Sequence, residues 1–422
     1  MHSVTNAIPT GTIASIPAKA HAHRALICAA LANSPSTILL SRTSKDIDAT
    51  MDSLRGLGTH VVYENKVVTV TPGPVPAKGN VVPHESGTTL RLLLPVAASI
   101  CNDVDVDAKG RLPDRPLEPM LSEMKAHGVT FSQDKPPFTI TGRLQGGNFS
   151  MVGDVSSQFF SGLLLAAPQI GLSTITATTP LQSSDYVTLT TETMRDFGVE
   201  VEHTLPDTNI NEAFTVPFGA SFIGRDNYQI EGDWSNAAIW MVAAGMTGKP
   251  ITITGMNKNS VQADRRIMQV MIDAGCDVVW DGMNVTVTGR AFKPIHADLE
   301  QMPDMLPVMA ALACSISGES SFIKGARLRL KESDRLIAVA NLVRDLGGTV
   351  REEGDDLYII GSGILKGGHG DCVNDHRLVM AGTLMALISE NPVTLKDSEA
   401  ITKSYPDFFE DWNLLGGDAH GI

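Results

Sequence analysis

At 422 residues the chain is too long for one ordinary core, and two large domains are the natural expectation. Apolar residues at 43% and charged residues at 19% exclude a disordered chain. A formal net charge of −14 argues against nucleic acid or an anionic membrane as partner, and no apolar run approaches the ~18 residues of a membrane helix.

The first residues show no basic region followed by an apolar stretch, so no secretory signal is expected. Cys28, Cys101, Cys276, Cys314 and Cys372 are scattered, without CxxC or metal-ligand spacing. They read as small apolar fillers in a reducing cytoplasm.

From Pro17 onward one pattern recurs. A polar approach of small residues leads into an apolar helix, a turn and a β-rich run. A second, amphipathic helix follows, closed by glycine and a strand. PAKAHAHR (17–24) leads into RALICAALANSPSTILL from Arg24, and SLRGLG-THV closes that unit at Gly58. HESGTTLR (84–91) leads into LRLLLPVAASICNDVDV from Leu90, closed by MKAHG-VTF at Gly128. GDVSSQ (153–158) precedes SGLLLAAPQIGLSTITA from Ser161, closed by MRDFG-VEV at Gly198. GDWSNA (232–237) precedes AAIWMVAAGMTGKPITIT from Ala237, closed by MIDAG-CDV at Gly275. QMPDM (301–305) precedes MLPVMAALACSISGESSFI from Met305, closed by LVRDLG-GTV at Gly347. NDHR (374–377) opens RLVMAGTLMALISENPVTL from Arg377, and DFFEDWNLLGG ends the series past Gly416.

The period stays near ~70 residues, longer than the common solenoid repeats. Helices apolar nearly all round are expected to be buried. The glycines are expected to be left-handed caps where a helix turns into a strand. Six such units suggest two domains of three, each with buried helices surrounded by sheet. Periodicity alone leaves the sheet topology open.

The polar approaches carry the chemistry. A helix N-terminus leaves backbone N–H groups unpaired and favours anions. Ser86, Gly87, Ser156 and Ser157 let a ligand approach the backbone, while Lys19, Arg24, Arg91 and Arg377 add positive charge. Arg115, Lys331, Glu332, Arg335 and Lys403 lie just ahead of amphipathic helices. At any one position an ordinary cap or a salt bridge is the preferred reading. Recurrence of basic residues at equivalent positions in an acidic protein points instead to an anionic, phosphorylated small molecule.

These motifs, in this order, resemble the 5-enolpyruvylshikimate-3-phosphate synthase family over essentially the whole chain. PAKAHAHRALICAALA looks like PSKSxxxRALxxAALA, HESGTTLR like GNxGTxxR, and GDVSSQFFSGLLLAAP like GDxSSQFxxALLxAAP. DRP at 114–116 matches an Arg-Pro motif; LRLKESDRL, DHRLVMA and TKSYPDFF are similar to LRVKETDR, DHRxAM and SKSYPxFF. The resemblance implies an α/β fold of two similar globes, each of three βαβαββ units (an inside-out α/β barrel) and crossed twice by the chain. The implied domains are 1–17 plus 233–422, and 18–232, with ligands bound in a cleft between them.

Carried over by position, the resemblance implies that phosphoenolpyruvate meets Lys19, Gly87, Arg115, Gln158, Arg335, Arg377 and Lys403. Shikimate 3-phosphate would meet Lys19, Ala20, Arg24, Ser156, Ser157, Gln158, Ser183, Asp304 and Lys331, with Tyr186 nearby. Asp304 and Glu332 are the implied proton-transfer groups, assisted by Lys19 and Lys403. No metal or other cofactor is implied, and a monomer is expected.

Three positions depart from the family pattern. Ala18 and Ala20 stand where serines are usual, with His21 or His23 the nearest replacements, and Glu85 stands where Asn is usual. A carboxylate there is expected to be tied to a Lys or Arg, to narrow the donor pocket and to alter the response to glyphosate. Two other readings compete. The UDP-N-acetylglucosamine enolpyruvyl transferase family shares fold and donor, but usually carries Cys in the loop that reads AKGRLPDRP here. The second is a non-catalytic anion-binding paralogue.

Overall fold

Two kinds of helix alternate along residues 1–207 and 211–422, the part of the chain that the computed structural model describes. The apolar kind comprises α1 (Lys19–Ala30), α3 (Gly87–Ile100), α5 (Ser157–Ile170), α7 (Trp234–Thr247), α9 (Leu306–Ser315) and α11 (His376–Ala386). The amphipathic kind comprises α2 (Lys45–Gly56), α4 (Met120–Ala126), α6 (Asp185–Asp196), α8 (Ile267–Asp273), α10 (Arg335–Asp345) and α12 (Phe408–Leu414). Every residue of α9 and α11 is buried, as is all of α7 except Thr247, which is what sequences without a polar face require. Two residues past each amphipathic helix, Gly58, Gly128, Gly198, Gly275, Gly347 and Gly416 take φ between +88° and +101°. A Cβ is strained in that conformation, so glycine ends each helix.

Five apolar helices begin earlier than their hydrophobic runs: α1 at Lys19, α3 at Gly87, α5 at Ser157, α7 at Trp234 and α11 at His376. In α3, α5, α7 and α11 the reason is capping. The side chain of Ser86 accepts from Thr89 N, Ser156 from Gln158 N, Asp233 from Asn236 N, and Asp375 from Arg377 N. The polar approach is thus the first helical turn, and hydrophobicity marks where burial starts. Such a cap is worth about 1 kcal/mol. Ala18, at the same place on α1, supplies no side-chain cap.

Among the described residues there are six sheets, each of four strands in one arrangement. Gly79–Val81 runs parallel to Asp103–Val106; that strand pairs antiparallel with Phe138–Gly142, which pairs antiparallel with Val129–Phe131. The parallel pair needs a crossover, supplied by α3, and α4 then leads into the antiparallel hairpin. Three sheets borrow a remote strand. Gly11–Ala14 lies parallel to Ile251–Thr254, and Tyr228–Gln229 lies parallel to Ser36–Leu39. His2–Val4 sits antiparallel between Val393–Lys396 and Ala419–Gly421.

Those borrowed strands define two compact units, Met1–Ile16 with Glu231–Ile422, and Pro17–Ile230. Pro17 therefore falls with the second unit, and Glu231 and Gly232 with the first. Glu231 is held there by side-chain bonds from Asn257, Ser260 and Gln262, and Asp233 N donates to Ile16 O at 2.9 Å. Each unit has its own core, one around Trp240, Met309 and Leu384, the other around Leu26, Leu93 and Leu164. All five cysteines are buried and unpaired in these cores. Among the described residues, no helix is long and apolar enough to cross a membrane.

Candidate active site

In the unit that contains Glu231–Ile422, the segment LRLKESDR folds as a 3-10 turn, Ala326–Leu330, followed by a loop into α10. Arg329 fastens this loop by donating to Gly354 O at 2.7 Å, Asp355 Oδ1 at 2.8 Å and Asp334 Oδ2 at 3.2 Å. Asp334 caps α10 through Ile337 N, which sets Arg335 as the first helical residue. The Arg335 guanidinium, 1% exposed, collects three carboxylates. Nε and Nη2 donate to the two oxygens of Asp375 at 2.9 and 3.1 Å; Nη2 also reaches Glu332 Oε2 at 2.6 Å, and Nη1 reaches Asp304 Oδ1 at 2.7 Å. Lys331 Nζ approaches the same Asp304 oxygen at 3.0 Å.

Asp304 is not the cap of α9. It lies in the 3-10 turn Pro303–Met305 that precedes the helix. Burial alone would raise its carboxyl, but Lys331, Arg335 and Arg377 hold it far below the usual carboxylate range. Burial lowers the Lys331 ammonium, with Asp304 acting against it. Burial also works against the Arg335 charge, yet Asp375, Glu332 and Asp304 together raise that guanidinium above its ordinary value.

Arg377 follows the capping Asp375 and donates from Nη1 to Ser235 O at 3.2 Å. Lys403, at the end of the 3-10 turn Ser398–Lys403, donates to Asn374 O at 2.8 Å, beside that cap. Arg335 thus joins Asp304, Glu332 and the buried Asp375, with Lys331 on Asp304, while Arg377 N bonds Asp375 and Lys403 bonds the neighbouring Asn374 carbonyl. The sequence reading did not single Asp375 out, although its place in the DHR motif was visible.

In the unit Pro17–Ile230, Arg24 is 1% exposed and spends its donors on neutral groups. They are Thr190 Oγ1 at 2.7 Å, Ala20 O at 2.8 Å, Tyr186 O at 2.9 Å and Ser161 Oγ at 3.2 Å. No carboxylate among the described residues lies within ion-pair distance of it, and burial pulls the guanidinium down to about 10. Lys19 pairs with Asp46 in the first turn of α2 at 2.7 Å. Asp46 O in turn accepts from Thr89 of α3 at 3.3 Å.

Gln158, in the first turn of α5, bridges Arg91 Nη1 at 3.1 Å and Thr88 Oγ1 at 2.8 Å. Arg115 lies over the first turn of α3, so close to Gly87 that an added Cβ would meet its Nη1 at 2.5 Å. Ser156 and Ser157 are buried where α5 starts, and Ser183 is buried ahead of α6 with φ +54°. The Glu85 carboxyl packs against Gly110, in the loop that leads to Arg115.

His21 and His23 both bond side chains of their own unit. The His21 ring bonds Tyr228 OH at 2.8 Å, and burial pushes it down to about 4. His23 is fully buried, with Nδ1 on Thr50 Oγ1 at 2.6 Å. Both rings serve packing around α1.

The family model for EPSP synthase (3-phosphoshikimate 1-carboxyvinyltransferase) matches residues 7–412. A 3-phosphoshikimate 1-carboxyvinyltransferase of Clostridium kluyveri is 36% identical over 97% of this chain and 95% of its own length. A protein of the same name from Methanocorpusculum labreanum is 35% identical, covering 97% of each chain. The 2.37 Å structure of EPSP synthase from Acinetobacter baumannii superposes with a TM-score of 0.82 at 22% identity, over 100% of this chain and 99% of that one, which bears on the fold.

Proposed function

We infer the reaction from kinship and from the chemistry of the two clusters: the chain belongs to the EPSP synthase family. It transfers the enolpyruvyl group of phosphoenolpyruvate to the 5-hydroxyl of shikimate 3-phosphate, releasing inorganic phosphate, a step toward aromatic amino acids. The observation that most supports this reading is Arg24, a buried cation beside the uncapped start of α1, held by neutral groups alone. A buried charge without a counter-charge is costly, and an anionic ligand offsets that cost.

In the first step the 5-hydroxyl oxygen bonds to C2 of the enol while the C3 methylene gains a proton. In the second, the tetrahedral adduct loses phosphate from C2 and a proton from C3, restoring the double bond. Asp304 accepts the hydroxyl proton and Glu332 serves the methylene, since one acid and one base must act on different atoms. The two carboxylates sit on different nitrogens of Arg335, a separation consistent with this division of labour. Arg115, Arg335 and Arg377 match planar carboxylate and phosphate oxygens, and Lys19 and Lys403 stabilise the departing phosphate. Lys331, Arg24, Ser156, Ser157, Gln158 and Ser183 orient the shikimate ester. Ala20 lends only its carbonyl, to Arg24.

The reading is tested by following phosphate release from the donor with and without the shikimate ester. Release that depends on the ester supports it, and none under any condition refutes it. Gly87→Ala tests the donor site separately. Its Cβ would displace the Arg115 guanidinium, so the KM for phosphoenolpyruvate is expected to rise roughly tenfold, the worth of one charged hydrogen bond. The KM for the shikimate ester should change little. An unchanged donor KM would remove Arg115 from the donor site.

A further inference from the structure

Asp264 is used by none of the steps above, yet its carboxyl is buried with one oxygen unsatisfied. It sits in the 3-10 turn Ala263–Arg266 that leads into α8, and it is 1% exposed. One oxygen, Oδ2, accepts from Ser235 Oγ in a short hydrogen bond, while Oδ1 has no hydrogen-bond partner. Ser235 lies in the first turn of α7, and its carbonyl is the acceptor for Arg377 Nη1. One residue therefore joins Asp264 to an arginine assigned to the donor.

We propose that Asp264 is a positioning residue that controls, through its own protonation, how much of the Arg377 charge is available to phosphoenolpyruvate. The inference rests on the reading of Arg377 given above. The charged groups facing Asp264 are Arg377 from α11, Asp304 from the turn before α9, and Asp233 from the cap of α7. Burial first, then the Asp304 and Asp233 charges, push the Asp264 carboxyl up to about 6, against the pull of Arg377. A buried carboxylate with a single hydrogen bond is poorly solvated when ionised. Neutral Asp264 removes one of the negative charges that face Arg377 and leaves its guanidinium more receptive to an anion. Ionised Asp264 both attracts the guanidinium and repels the donor.

Donor binding is thereby linked to proton uptake. Below pH about 6 the site is ready, and as pH rises through that value the donor KM should climb by about tenfold, the scale of one added charge near the site. The phosphate group of the donor titrates in the same range, so the test is a comparison with Asp264→Asn. In that variant the KM measured at pH 8 should fall toward the wild-type value at pH 5.5, with kcat changing less than about threefold. Superimposable KM profiles for the two proteins would overturn the proposal.

A second readout needs no turnover. Any stability that neutral Asp264 provides is present below pH about 4 and lost as pH rises through about 6. Asp264→Asn should therefore raise Tm at pH 8 and have little effect at pH 4. Equal shifts at both values would also overturn the proposal. Failure of the unmodified chain to turn over at all would fault the reaction instead, and leave the Tm comparison to decide on Asp264.

Discussion

Replacing Asp304 by Asn is expected to lower kcat by roughly 10²–10⁴-fold, the usual worth of a positioned acid–base group, while the KM of neither substrate rises. The amide keeps the volume and still accepts hydrogen bonds from Lys331 and Arg335, now 3.0 and 2.7 Å from Oδ1. What it loses is the capacity to take the hydroxyl proton. Removing a negative charge from a site for anions should, if anything, tighten binding. In the protein as described, Lys331, Arg335 and Arg377 hold Asp304 ionised and weakly basic. An anionic substrate that competes for those cations would raise its basicity as it binds. Steady-state kinetics with each substrate varied in turn check the prediction. A loss carried by KM at constant kcat would recast Asp304 as a binding group, and undiminished turnover would remove it from the proton transfer altogether.

Arg335→Met should have the largest effect on the fold. The guanidinium satisfies three carboxylates, and Asp375 is fully buried. Taking the cation away leaves uncompensated buried charge, which typically costs about 3–5 kcal/mol. The sign with pH follows from Asp304, whose carboxyl is depressed when folded. Its contribution is fully present above about 4, its ordinary unfolded value, and fades as pH falls toward the folded value. Part of that contribution disappears in the variant, where Lys331 and Arg377 still face Asp304, so the gap from wild type should be widest above pH about 4 and narrow in stronger acid. Urea unfolding at pH 7.5 and pH 2.5 measures it. A uniform gap at both would mean that lost packing, rather than lost charge pairing, governs the effect.

Much of the architecture was legible because it is local. An apolar helix such as AAIWMVAAGM declares its burial through composition, and glycine at Gly128 or Gly347 declares its φ because little else tolerates it. Helix starts were misplaced because the turns that follow the caps Ser86, Ser156 and Asp233 are helical before they are hydrophobic, and hydrophobicity sees only where the apolar run begins. The borrowed strands were out of reach of periodicity. Tyr228–Gln229 is two residues long and pairs with a strand near residue 38, so no local pattern records it.

The candidate site divides the same way. Its basic residues were visible because they oppose the acidic balance of the chain and recur at equivalent positions. Their partners were not. Nothing in the spacing says that Arg24 meets Thr190 and Ser161 rather than a carboxylate, or that Lys19 meets Asp46, 27 residues on. Asp375 looked like a helix cap and is one, but the same carboxylate also seats Arg335 from 40 residues away. One side chain with both jobs gives the sequence a single signal. Asp264 gave none, being one acidic residue in a polar turn.

The most direct measurement is ³¹P NMR of one reaction that holds phosphoenolpyruvate, shikimate 3-phosphate and UDP-N-acetylglucosamine at equal concentration. Loss of the donor resonance should match growth of inorganic phosphate, with the shikimate ester signal converting to a new one and the nucleotide sugar unchanged. Consumption of the nucleotide sugar, or a donor signal that persists with both acceptors present, would contradict the proposed reaction.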